Sequence, residues 1–274
     1  MKLGVAVRSM GEASRKETLL AAVQSAESAG LDDIWIQDHL AIPPDDAEGS
    51  GGRYLDPLTT LAWLAASTER IGLGAGVLVL PYRRALPTAK SVATVQELSG
   101  GRLLLGVGVG WMQPEFDALG ISRAHRGRDT DQVLDLIQRA FSAEDDVVEE
   151  NGQKFLFRPH PATPPIYVGG KGLHALKRTV RYGDGWMPMG ANPDQLKPQI
   201  EQLAELASDA GRACPEVVCL GGLPVDDPKA GSDQLHALEE IGVTRFVAGG
   251  GRYNSIEEFK PLVDGVSAIR EALG

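Results

Sequence analysis

The feature that most constrains this chain is an alternation that runs unbroken from one end to the other. Short apolar or β-branched runs, at Leu3–Val7, Ile34–Gln37, Ile71–Leu80, Leu103–Val109, Ile166–Val168, Gly185–Met187, Val217–Leu220 and Arg245–Ala248, take turns with segments of helical periodicity. Those segments are Arg15–Ala29, Pro57–Ser67, Pro87–Leu98, Arg128–Phe141, Leu173–Arg181, Pro193–Ala210, Asp233–Ile241 and Ile256–Ala272. A strand that leads into one helix and then another strand demands parallel pairing through a crossover. Eight such units in 274 residues suit a closed (β/α)8 barrel, which runs to about 250 residues, better than an open doubly wound sheet. The expected fold is therefore α/β, a (β/α)8 TIM barrel with residues 1–274 forming a single domain.

Two connections are longer than a compact barrel needs, 38–56 after the second strand and 110–127 after the fourth. Both follow the carboxyl ends of strands, so these insertions sit on the C-terminal face where barrel enzymes build active sites. A third excursion, 143–165, carries Asn151-Gly152 flanked by Val147, Val148, Phe155 and Phe157, which predicts a hairpin or an extended insertion of structural purpose.

Bulk properties narrow the function. A net charge of −10 and a pI near 5.0, without clustered Lys and Arg, argue against a nucleic-acid binder. Cys214 and Cys219 make no CxxC pair and no Cys/His grouping has zinc-ligand spacing, so the expectation is reduced thiols, no metal and a cytoplasmic address. The N-terminal apolar run of five residues is shorter than the roughly 7–15 of a signal peptide. No run approaches the roughly 20 apolar residues of a membrane span.

Asp38 and His39 stand side by side at the end of the second strand. A loop cap and an ordinary loop histidine would explain them, but a position at a barrel mouth favours function: a neighbouring carboxylate can fix the tautomer of an imidazole that exchanges protons. Gly72, Gly74 and Gly76 are costly inside a strand, so they mark either a flat ligand against the backbone or crowding inside the barrel. Gly106, Gly108 and Gly110 read GxGxG with no helix starting at the third glycine, which argues against a Rossmann site. After them Trp111, Gln113 and Glu115 offer an aromatic wall and one acid, or simply a packed rim loop.

In PPIYVGGKGLHAL a strand runs into Gly169, Gly170, Lys171 and Gly172 before a helix; backbone N–H groups at a helix N-terminus with a lysine suit a phosphate, though a tight turn also needs glycine. The basic segment RAHRGR, Arg123 to Arg128, reads equally as an anion contact or a solvated face. The acidic run of Glu144, Asp145, Asp146, Glu149 and Glu150 reads as solvated surface.

Taken jointly, the DH pair, the glycine-rich third strand followed by RRALPTAKSVATVQELSGGRLLLGVGVGW, the arginine-spaced helix, and PIYVGG with GDGW resemble the bacterial luciferase-like monooxygenase superfamily. The resemblance is greatest to its coenzyme F420-dependent oxidoreductases and spans residues 3 to about 190. It implies a barrel with a flavin or deazaflavin ring at the carboxyl ends of the strands. Asp38 and His39 would lie beside the ring, Ala75, Gly76 and Val77 would back it through a non-proline cis peptide, and Gly108 with the Trp111–Glu115 loop would border the cavity. Gly169, Gly170 and Lys171 would take the phosphate.

In that scheme His39, oriented by Asp38, moves the proton that accompanies hydride transfer, with Glu115 a second acid/base candidate. Leu40, Ile42, Trp111 and Met112 suggest a small, apolar organic substrate. The sugar-phosphate dehydrogenases of the group carry a tryptophan shortly after the DH pair, where this chain has Ala41, Ile42, Pro43 and Pro44, which weakens a glucose-6-phosphate assignment. FMN is the alternative cofactor, for a monooxygenase supplied with reduced flavin by a separate reductase. A non-catalytic flavin-binding barrel is the alternative of another class. The resemblance also implies a homodimer.

Overall fold

The structure, a computed structural model, describes residues 1–188, 190–249 and 251–273. Eight parallel strands close a barrel: β1 (Lys2–Ala6), β2 (Asp33–Ile36), β3 (Gly72–Val79), β4 (Leu103–Gly108), then, past a hairpin of β5 (Val147–Glu150) and β6 (Gln153–Leu156), β7 (Ile166–Gly169), β8 (Gly185–Met187), β9 (Glu216–Gly221) and β10 (Arg245–Ala248). Around it run α1 (Lys16–Ser28), α2 (Pro57–Ala65), α3 (Ala85–Leu98), α4 (Gln113–Ala118), α5 (Arg126–Phe141), α6 (Gly172–Tyr182), α7 (Pro193–Asp209), α8 (Pro228–Glu240) and α9 (Ile256–Leu273). Each strand pairs with its sequence neighbour in the barrel, and β1 closes on β10 through Lys2↔Arg245 to Val5↔Ala248.

The strand and helix expectations hold, with two differences. Asp227 accepts a hydrogen bond from the Ala230 N–H and Pro228 opens α8, so that helix starts well before Asp233. The fourth unit carries a second helix, α4, inside the 110–127 connection. At six residues it is too short to show a period in the sequence.

Alternation along β2 divides the core in two. Ile34 and Ile36 face outward into the layer between barrel and helices, while Trp35 faces inward and packs with Tyr167, Met187, Val218 and Val247. Trp35 explains the glycines of β3. A Cβ at Gly74 would lie 2.3 Å from the Trp35 ring, and one at Gly72 would press on Asp33. Crowding inside the barrel, not a flat ligand, therefore selects Gly72 and Gly74. Above them the register of β3 against β4 shifts between Ala75 and Leu78, and the Gly76–Val77 peptide is cis.

At the end where the strands begin, the interior is sealed by a polar network. Asp33, fully buried, accepts from Trp35 Nε1 at 2.5 Å and is paired with Arg245; Arg245 lies over the Tyr167 ring, whose hydroxyl donates to Glu216 Oε2 at 3.0 Å. The hairpin belongs to this same end, because it lies between α5 and β7. Asn151 (φ 52°) and Gly152 (φ 76°) make its turn, the left-handed pair that matches the twist of the flanking strands. Its acidic run is not simply solvated: Glu150 pairs with Arg139, and Asp146 with Arg158 and His160. Among the described residues no helix is long and apolar enough to cross a membrane.

Candidate active site

Just past the end of β2, Asp38 and His39 take separate partners. Asp38 does not touch His39. Its buried carboxylate accepts from the Val79 N–H at 2.8 Å and from both Arg83 terminal nitrogens at 2.6 and 2.9 Å, and Arg83 also reaches Asp56 at 3.0 Å. Burial raises the Asp38 carboxyl above its ordinary range, against the pull of the Arg83 fork. The pair ties the end of β2 to the end of β3, and the orienting role expected of Asp38 falls to another residue.

That residue is Glu115. From the first turn of α4 its fully buried carboxylate accepts four hydrogen bonds: from the Leu40 N–H at 2.6 Å, the Ala41 N–H at 3.1 Å, the Tyr82 hydroxyl at 2.9 Å and His39 Nδ1 at 2.9 Å. Burial alone would raise its pKa, but the Ala41 and Leu40 N–H groups, with His39 and Tyr82, outweigh burial and hold it below the ordinary 4.5. The Tyr82 hydroxyl is pushed strongly up by burial and by the Glu115 charge, so it stays a donor. An ionised Glu115 requires a proton on His39 Nδ1, which leaves Nε2 as the nitrogen that can take up or release one. The imidazole is held between aromatic groups, 4.9 Å from the Tyr54 ring and 6.3 Å from the Trp111 ring. Glu115 itself, with four donors on two oxygens, is built to position rather than to shuttle a proton.

His39 and Glu115 line a cavity of about 480 Å³ at the carboxyl ends of the strands. Of the residues expected at the site, Asp38, Gly76, Val77, Gly108, Trp111, Gly169 and Gly170 also line it, Trp111 with two-thirds of its surface exposed. Four others do not. Ala75 is buried beneath the wall, Leu40 turns to solvent at 43% exposure, Met112 packs inside the loop, and Lys171 stands exposed at the head of α6. The glycines after β7 serve the turn: Gly170 (φ 128°) donates to the Met187 carbonyl and accepts from Trp186 Nε1, and Gly172 (φ 72°) donates to Gln199. The N–H groups of Gly170 and Gly172 are thus already paired.

Gln37, Val79, Tyr82, Met187 and Leu220 line the cavity without having been singled out in the sequence. Nothing local marks Tyr82 or Gln37; each matters through a partner or space that only barrel closure creates. The RAHRGR segment forms a 3₁₀ turn and the start of α5, with Arg126 donating to the Arg123 carbonyl and Arg128 paired with Asp129. A larger open groove, about 600 Å³ between α2 and α3, holds Arg84 and Lys90 beside the Arg83–Asp56 pair but no imidazole. Among the described residues no cluster of three or more His, Cys, Asp or Glu is placed to hold a metal.

Residues 2–272 match the profile of the luciferase-like monooxygenase family. The chain belongs to that family. A 5,10-methylenetetrahydromethanopterin reductase of Methanolobus tindarius is 32% identical over 197 residues, 70% of this chain and 56% of the reductase. Two solved structures share the fold. An F420-dependent secondary alcohol dehydrogenase in complex with an F420–acetone adduct superposes with a TM-score of 0.81 at 17% identity, covering 98% of this chain and 99% of that one. The oxygenating constituent of 3,6-diketocamphane monooxygenase from Pseudomonas putida, a type II Baeyer–Villiger enzyme in complex with FMN, gives 0.76 at 15% identity, covering 97% and 98%.

Proposed function

We propose that this family member is an oxidoreductase that uses coenzyme F420 for hydride transfer to or from a small, apolar organic substrate at the barrel mouth. The observation that carries the reading is the His39–Glu115 pair, an imidazole with one nitrogen committed to a buried carboxylate and the other uncommitted, on the wall of a cavity of cofactor size. The wall suits a flat heterocycle. Val77, Val79, Met187 and Leu220 supply apolar faces, and Gly76, Gly108, Gly110, Gly169 and Gly170 expose backbone rather than side chains. A Cβ at Gly108 would come within 2.5 Å of Val77 and one at Gly110 within 2.8 Å of Val79, so side chains there would crowd the wall.

When bound, the deazaflavin would supply the hydride chemistry. The protein's share follows from its own groups: Glu115 holds His39 in one tautomer, and His39 Nε2 delivers or accepts the accompanying proton. Trp111 and the 38–56 loop, which leans back on the first connection through Leu55 and Ser9, shield the site from water. Gly169 and Gly170 would border the phosphate, with Lys171 outside the wall as a longer-range cation. The reading takes residues 1–274 as one barrel domain of a cytoplasmic homodimer.

The F420 reading draws on two proteins of the same fold named as F420-dependent, an alcohol dehydrogenase and a tetrahydromethanopterin reductase; the FMN-bound monooxygenase keeps the second cofactor in view. Titration of the apoprotein with each cofactor, oxidised and reduced, followed by tryptophan quenching, tests the choice, since Trp111 lies on the cavity wall. Tight F420 binding with weak FMN binding supports hydride transfer. Preference for reduced FMN would move the chain to the oxygen-activating branch, with a reductase as partner, and binding of neither would overturn both readings. A ring-binding protein whose cellular activity survives His39→Ala would instead be a non-catalytic barrel.

A further inference from the structure

On the cavity wall, Gln37 carries a buried side-chain oxygen with no hydrogen-bond partner among the described residues. Gln37 directly follows the last residue of β2 and lines the cavity. Its backbone is anchored, the carbonyl accepting from Ser9 Oγ. Its Oε1 is buried and has no hydrogen-bond partner among the described residues. Three other buried side-chain atoms share that state, Arg8 Nε, Arg123 Nε and Arg245 Nε, but all are donors and none belongs to a residue on the cavity wall. Gln37 Oε1 is the unpaired acceptor. Val77, Met187 and Leu220, elsewhere on the same wall, are apolar.

A buried acceptor left unpaired is rare in folded proteins, and at a cavity wall it points to a ligand donor. A carboxamide offers an acceptor and a donor side by side, which matches a ligand edge with an N–H next to a carbonyl. We infer that Gln37 is a ring-positioning residue that reads a cyclic imide edge: the ring N–H donates to Oε1, and Nε2 donates to the adjoining ring carbonyl. Deazaflavin and flavin rings share such an edge, so the inference rests on the proposed cofactor class and holds for either member of it. It assigns Gln37 a part in orienting the ring, where His39 handles the proton.

The test compares 8-hydroxy-5-deazariboflavin and riboflavin with their N3-methyl derivatives, in which the imide proton is replaced, by equilibrium titration of tryptophan fluorescence. The wild-type protein should bind the N3-methyl form of its preferred ring about tenfold more weakly than the parent, the size expected when a buried acceptor loses its donor. In Gln37→Ala the parent should weaken by a similar factor, and the penalty for methylation should shrink to about twofold or less, as coupled partners require. Equal wild-type affinity for parent and N3-methyl rings would overturn the inference and leave the cofactor reading standing. Discrimination that persists in Gln37→Ala would also overturn it, by assigning the imide contact to another group. Failure of the wild-type protein to bind either parent ring would overturn the inference and the cofactor reading together.

Discussion

At the end of the barrel where the strands begin, Asp33 is fully buried and draws its partners from Trp35 and Arg245; at the end where they finish, Glu115 is equally buried and draws its from Leu40, Ala41, Tyr82 and His39. Around Asp33 the large side chains of Trp35, Tyr167 and Arg245 fill the interior. Around Glu115 glycines line a cavity, and one of the carboxylate's partners keeps a nitrogen uncommitted. A buried carboxylate thus does different work according to what packs beside it. Filled space makes it a seal, and open space makes it the support for an exchangeable proton.

The largest effect should come from the open end. His39→Ala is expected to lower kcat by about 10²- to 10⁴-fold, the usual range for a positioned acid/base, with ring affinity little changed. Glu115→Gln should follow in the same direction, because the amide keeps one acceptor oxygen and turns a donor NH2 toward the remaining donors. Steady-state kinetics beside cofactor titration separates the two quantities. Full activity in His39→Ala would erase the functional difference between the two ends.

At the sealed end the expected loss is stability. Arg245→Met leaves the Asp33 carboxylate buried without its cation, which costs about 3–5 kcal/mol by the behaviour of broken buried pairs. Pairing it with Asp33→Leu should recover much of that loss, since an apolar pair no longer strands a charge. Urea denaturation reads both. Between the ends, Gly74→Ala should destabilise by about 1–3 kcal/mol, because its Cβ would overlap the Trp35 ring and the packed barrel cannot give way freely.

How much of this the sequence carried depends on the range of the interaction. The barrel was legible because each strand and helix announces its period locally, and the hairpin because Asn151-Gly152 is a local turn signal. His39 and Glu115 were each legible as chemistry-bearing residues, but not as partners, since they lie 76 positions apart and meet only when α4 folds over the barrel mouth. Adjacency in sequence suggested Asp38 instead, but its carboxylate is taken up by Arg83 and the Val79 N–H. The glycines of β3 stayed ambiguous for the same reason: Gly74 makes room for Trp35 and Gly72 for Asp33, both on the neighbouring strand, and no window of β3 alone contains them.

The smallest predicted effect separates the two ends by the sign of their pH dependence. Glu115 has its folded pKa below the ordinary 4.5, so its contribution to stability is present above that value and lost as pH falls through the folded one. His160, in the hairpin segment of the sealed end, runs the other way. Its Nε2 meets the Phe141 carbonyl at 2.8 Å and its Nδ1 meets Asp146 at 2.5 Å, and only an imidazolium can donate to both. The Phe141 carbonyl, then Asp146, raise its pKa above the ordinary 6.5. Its stabilisation is therefore complete below pH 6.5 and disappears as pH rises through the raised value. The site is partly exposed, so the effect should stay within about 1 kcal/mol. Urea titrations of wild type and His160→Gln at pH 5.5 and 9 should show a stability difference at the lower pH that vanishes at the higher. A difference that is flat, or that grows with pH, would show that His160 is held as a neutral ring and that the hairpin clasp does not depend on its charge.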